Sequence, residues 1–145
     1  MGVPPVVDLF RYNAWATRQL IDFCRKLSPQ QRRVELAGVY GNAERTLVHL
    51  VSAEDFYAFL LTGERLQRLP LEPDPVDFDE LLRRLGRNAS IFASNGRTLR
   101  TGMLLSQILS HCSEHRGQVR TILGANGIVP PDISAWAMDG GSEDW

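Results

Sequence analysis

A chain of 145 residues and 16.3 kDa, 43% apolar and 23% charged, has the composition of a soluble globular protein large enough to bury a core without staples. Its formal charge of −1 provides no basic stripe, which argues against nucleic acid as a partner. No apolar run approaches the length of a membrane span, and Met1-Gly2-Val3-Pro4-Pro5-Val6 carries neither a basic segment nor a myristoylation pattern.

The first helical period runs from about Asp8 to Leu27, with Leu9, Tyr12, Ala16, Leu20, Phe23 and Leu27 on one stripe. Ser28-Pro29 breaks it and starts a short second turn of helix, since proline suits a first helical position. Asn42 is a good N-cap for a helix reaching Leu61 and closed by Gly63. That helix is apolar almost all round, which predicts a central position. A link containing Pro70, Pro73 and Pro75 leads to the next helix, where Asp77 and Glu80 form a capping-box pattern. Its buried stripe is Phe78, Leu81, Leu82, Leu85, Ala89 and Phe92, and Asn95-Gly96 ends it. The last long helix runs from about Thr101 to Ala125, stops at Asn126-Gly127, and is followed by Pro130-Pro131. Gly140 to Asp144 reads as a loose tail. No alternating run of β-branched residues signals a strand.

Four long helices predict an all-α, single-domain four-helix bundle spanning residues 1–145. The long connections after the first two of them permit crossovers, so simple up-down order is not assumed. Cys24 and Cys112 are too few for a disulfide framework, and a cytoplasmic location is expected.

The chain has three histidines, His49, His111 and His115. His111 and His115 are four residues apart and stack on one helical face, within the stripe Leu104, Ile108, His111, His115, Val119 and Ile122. Two imidazoles on an inward face require an explanation, because a buried polar group without a partner costs about 1–3 kcal/mol. His49 lies on another apolar helix, with the small residues Thr46, Ser52 and Ala53 around it leaving a hollow. Imidazole is the commonest zinc ligand and also suits nickel, copper and iron, so the pattern predicts a shared metal. The competing reading is a set of core histidines satisfied by neighbouring hydroxyls or carbonyls. His111-Cys112-Ser113-Glu114-His115 also spells H-x-x-E-H, an inverted zincin signature. That reading lacks a suitable downstream carboxylate ligand, and Glu114 points about 100° away from His115 around the helix.

These residues resemble the DinB/YfiT-like family of metalloenzymes. Tyr12-Asn13-Ala14-Trp15-Ala16 is similar to the family's opening pattern. Gly38 to Asn42 with Thr46 to Leu50 and Ala53-Glu54 is similar to the segment of its first histidine. His111 to Gln118 is similar to its histidine pair running into Arg-Gly-Gln. The resemblance implies that His49, His111 and His115 hold a divalent metal ion, nickel or zinc, with open positions for water. It implies a homodimer, and in some members a thiol S-transferase or isomerase activity using a low-molecular-weight thiol. Thr17, Cys112 and Glu114 depart from the family's usual residues, so substrate identity does not carry over.

The other signature residues have structural readings. Gly117 would permit a close helix approach. Arg116 would pair with Glu54 or Asp55 and anchor the two histidine-bearing helices. Gln118 would hydrogen-bond across to the first helix, while Tyr12 and Trp15 read as core or dimer-contact aromatics. Cys112 reads as a small core residue, and no catalytic residue or general base is identified. Three functions follow: a metal-dependent transferase or hydrolase, a metal or small-ligand sensor without turnover, and a metal-free interaction bundle.

Overall fold

The computed structural model describes residues 4–95 and 102–140. Among them are six helices and no strand: α1 (Pro5–Arg25), α2 (Pro29–Arg32), α3 (Ala43–Thr62), α4 (Phe78–Asn95), α5 (Gly102–Ala125) and α6 (Ala135–Met138). Local chemistry accounts for most boundaries. The Ser28 hydroxyl accepts from the Gln31 N–H, and the Gln31 side chain accepts from the Ser28 N–H, a complete capping box that starts α2. Asn42 Oδ1 accepts from the Arg45 N–H at 2.9 Å to start α3, and Gly63 ends it at φ +76°. Asp77 Oδ1 accepts from the Glu80 N–H at 2.9 Å, but the Glu80 carboxylate is turned to Arg83 and Arg84. The expected capping box at α4 is therefore bound up in an ion-pair cluster. Gly96 and Thr101, the expected end of one helix and start of the next, lie outside the described residues, as does the tail from 141 to 144.

The long helices do not pack in chain order. α1 packs on α4 and α5, α3 packs on the same two, and α1 and α3 barely touch across the diagonal. The connection at 26–42 carries the chain across the diagonal from α1 to α3, as its length allows, whereas that at 63–77 joins the neighbours α3 and α4. One apolar cluster joins Leu20 and Ile21 to Leu47, Leu81, Leu85, Val119 and Leu123. A second joins Phe10, Leu50, Phe92 and Ile108, with the Phe10 and Phe92 rings 5.6 Å apart. Each such side chain contributes about 1.5–3 kcal/mol by leaving water.

Two expected burial patterns differ. Leu9 is exposed, and the buried face of α1 is Phe10, Asn13, Ala16, Thr17, Leu20, Ile21 and Cys24. The polar members turn inward because a buried guanidinium, described below, binds them. α3 is not apolar all round in its environment, since Phe56 and Leu60 face solvent. The short helix α6 was not foreseen. It is capped by Ser134, and the preceding Ile133 carbonyl accepts from the Tyr12 hydroxyl at 3.0 Å, which ties it to α1. No helix among the described residues is long and apolar enough to cross a membrane.

Candidate metal centre

The packing of α3 against α5 brings the three histidines together. One ring nitrogen from each of His49, His111 and His115 can be chosen so that all lie within 4.8 Å of one another. The inward face of α5 carries Ile108, Cys112, His115, Val119 and Ile122, all buried. His111 lies at the edge of that face and is half-buried, as is His49. The cluster thus sits at a seam between two helices, partly open to solvent, and not on the bundle axis.

Nε2 of His115 and Nε2 of His111 are 3.1 Å apart. A divalent ion about 2.0–2.1 Å from each imidazole nitrogen sets adjacent ligands about 3.0–3.4 Å apart. The pair already has that spacing, and side-chain rotation would draw the full set inward. His115 Nδ1 lies 2.9 Å from Gln118 Oε1, so the ring donates Nδ1–H to the amide oxygen and presents a lone pair at Nε2. Gln118 therefore bonds within its own helix, not across to α1 as expected. His111 Nδ1 is buried with no hydrogen-bond partner among the described residues.

Burial and neighbouring groups disfavour the charged forms of His49 and His111. Burial, followed by the neighbouring His115 and His49, pushes the His111 imidazole down to about 4. Burial, with His115 and Arg45 nearby, lowers that of His49. Neutral imidazole is the form that ligates a cation.

Aromatic rings line the cluster where sequence reasoning placed only small residues. Tyr40 stacks on His49 with ring centroids 4.2 Å apart and meets His115 edge-on at 5.4 Å. Tyr57 meets the His111 ring at 5.9 Å. The Arg45 guanidinium lies 5.6 Å from the Tyr40 centroid, a cation–π distance. Tyr40 follows a turn made by Gly38 at φ +88° and precedes the Asn42 cap. An aromatic between glycines just before a helix was the available signal for it.

Behind the histidines lies a buried polar network. Arg116 does not pair with Glu54 or Asp55. Its Nη1 donates to Asn13 Oδ1 at 2.7 Å and Thr17 Oγ1 at 3.1 Å, and the guanidinium lies 5.8 Å from the Tyr12 centroid. Asn13 in turn donates from Nδ2 to Glu54 Oε1 at 3.1 Å, and the Cys112 thiol donates to the same oxygen at 3.2 Å. Asn13 thus stands between the guanidinium and the carboxylate, and the network joins α1, α3 and α5. Burial raises the Glu54 carboxyl to about 7 against these hydrogen bonds. The Cys112 thiol is pushed far up, chiefly by burial and then by Glu54. Asp55 is held elsewhere, by Arg84 at 2.7 Å and Asn88 at 2.8 Å. Trp15 packs against the core beside Tyr12, with centroids 6.4 Å apart. Glu114 is exposed, outside the cluster. Gly117 is exposed too, and a Cβ there would meet nothing within 4 Å, so no close approach among the described residues requires it.

Comparison with known families matches residues 1–91 to the DinB family. The matched stretch holds His49 and Glu54 and ends before His111 and His115. No curated protein matches the chain.

Proposed function

The chain belongs to the DinB family, and on that premise we propose that it is a metal-dependent enzyme of the thiol S-transferase or hydrolase kind. Its divalent cation, nickel or zinc, would be held by His49, His111 and His115. The observation that carries this reading is the convergence of three imidazoles from two helices within 4.8 Å. A set made only of imidazoles leaves the ion its full charge and room for further ligands, as catalytic sites do. Bound there, such an ion supplies Lewis acidity that makes a coordinated water or thiol more acidic near neutral pH.

The protein's own groups do the rest. Gln118 fixes the His115 tautomer, so Nε2 is presented without a rearrangement. Tyr40 shields one side of His49 and His115 from water, and Tyr57 borders His111. His49 and His111 are only half-buried, so the seam leaves an approach for a small substrate. Arg116, Asn13 and Glu54 would brace the helices that carry the ligands, with Tyr12 and Trp15 packing beside them. A homodimer, a low-molecular-weight thiol as co-substrate and a cytoplasmic location belong to the same reading.

The test uses tag-free protein loaded with nickel or zinc, assayed for transfer of low-molecular-weight thiols to electrophiles and for ester hydrolysis. We expect turnover that disappears on chelation and in His115→Ala. Stoichiometric metal uptake with both assays blank supports a metal or small-ligand sensor instead. Turnover that survives chelation contradicts the proposal.

A further inference from the structure

The segment between α3 and α4 borders a partly open cavity of about 290 Å³ on the α4 side of α3. It is distinct from the histidine cluster. Tyr57 on α3 faces His111 of α5, whereas Asp55, which lines the cavity, is bonded to Arg84 and Asn88 of α4. Arg84 holds the bordering segment in place, because its Nη1 also donates to the Gln67 carbonyl at 2.8 Å. Arg84 is buried, so this anchor is part of the fold and not a surface contact.

The lining has two characters. Phe56, Phe59, Leu66, Leu69 and Leu71 form apolar walls, and Phe56 and Leu71 are 51% and 64% exposed, more than a finished surface needs. Arg65 and Arg68 stand at the rim, with the Arg65 guanidinium 4.4 Å from the Phe59 centroid. Asp55 is the one carboxylate lining the cavity among the described residues, and Arg84 already neutralises it at 2.7 Å. Two cations therefore face a pocket with no free anion. Ser52 also lines it, and its hydroxyl oxygen is buried without a hydrogen-bond partner.

We propose that this cavity binds a small amphipathic carboxylate, an acyl or aryl acid whose apolar body lies on Phe56, Phe59 and Leu69 and whose carboxylate meets Arg65 and Arg68. The volume approaches the lower end for small-molecule sites, and the mixture of apolar wall and few polar groups is what such sites use. The site does not depend on the metal reading and is tested without metal.

Chelator-treated full-length protein is titrated with octanoate and, separately, with octanol, following backbone amide and methyl shifts by NMR. The expected result is saturable one-to-one binding of octanoate with the largest shifts at Ser52, Phe59 and Leu69. Octanol should bind at least about tenfold more weakly, the loss of about 1.4 kcal/mol of charge-assisted contact. The double variant Arg65→Glu/Arg68→Glu should lose at least about tenfold in octanoate affinity, with thermal melting as the control for folding. If it does not fold, Arg65→Gln/Arg68→Gln is expected to lose affinity in the same direction. The proposal is overturned by shifts concentrated at the α3–α5 seam, by non-saturating binding, by octanol binding as tightly, or by a folded arginine variant with unchanged affinity. Binding to anionic phospholipid vesicles without any binding of octanoate overturns it as well.

Discussion

Replacing Gln118 by leucine removes one hydrogen bond and almost no volume. In the protein, Gln118 Oε1 accepts from His115 Nδ1 at 2.9 Å, and His115 is only 7% exposed, so water has little access to that ring. The metal-free protein can tolerate the loss by moving the proton to Nε2, where His111 Nε2 at 3.1 Å can accept it. Binding a cation through Nε2 removes that escape. The proton must then sit on Nδ1 without a partner, a cost specific to the loaded state. Loss of such an outer partner weakens metal binding about 10- to 100-fold, or about 1.4–2.7 kcal/mol. Competition against a chromophoric chelator reads this directly, with wild-type and Gln118→Leu proteins compared at one pH. Gln118→Glu keeps an acceptor at the same position and should restore or tighten binding. A Gln118→Leu protein with unchanged melting and affinity within about twofold of wild type would refute the claim that His115 Nε2 is the ligating atom.

Three further outcomes follow from the buried groups. Glu54 keeps its proton to about 7 in the native state against 4.5 ordinarily, so the unfolded chain ionises first. Stability should fall by about 3 kcal/mol as pH rises across that window, and chemical denaturation of Glu54→Gln at several pH values should show the slope flattened. His111 has the opposite sign. Its native imidazole is lowered to about 4 from 6.5, so metal-free protein should lose stability as pH falls between those values, and His111→Asn should lose less. Burial pushes the Cys24 thiol up to about 12 and that of Cys112 further. A thiol reagent at pH 8 should modify neither cysteine in folded protein and both in denaturant, and rapid native labelling of Cys112 would contradict its bond to Glu54.

Much of the helical frame was legible because its signals are local. Ser28-Pro29, Asn42 and Gly63 act through their own backbone geometry, and each marks a boundary where it was read. The histidine cluster was legible from the four-residue spacing of His111 and His115 plus one further histidine on an apolar helix. What failed depended on partners distant in sequence. The stripe through Leu9 and Tyr12 placed α1 one step out of rotation, because Asn13 and Thr17 look like surface residues until Arg116 is there to bind them. Asp55 looked available to Arg116, but Arg84 of α4 reaches it first. Tyr40 and Tyr57 border the cluster through the approach of a loop and a helix to α5, which no periodicity encodes.

Metal content per chain, measured by elemental mass spectrometry on tag-free protein after exposure to nickel or zinc and removal of the excess, tests the three-imidazole site most directly. Wild-type protein should retain one equivalent, and His49→Ala, His111→Ala and His115→Ala should each lose it while still folding. A wild type that retains no ion, or folded variants that keep theirs, would contradict the site.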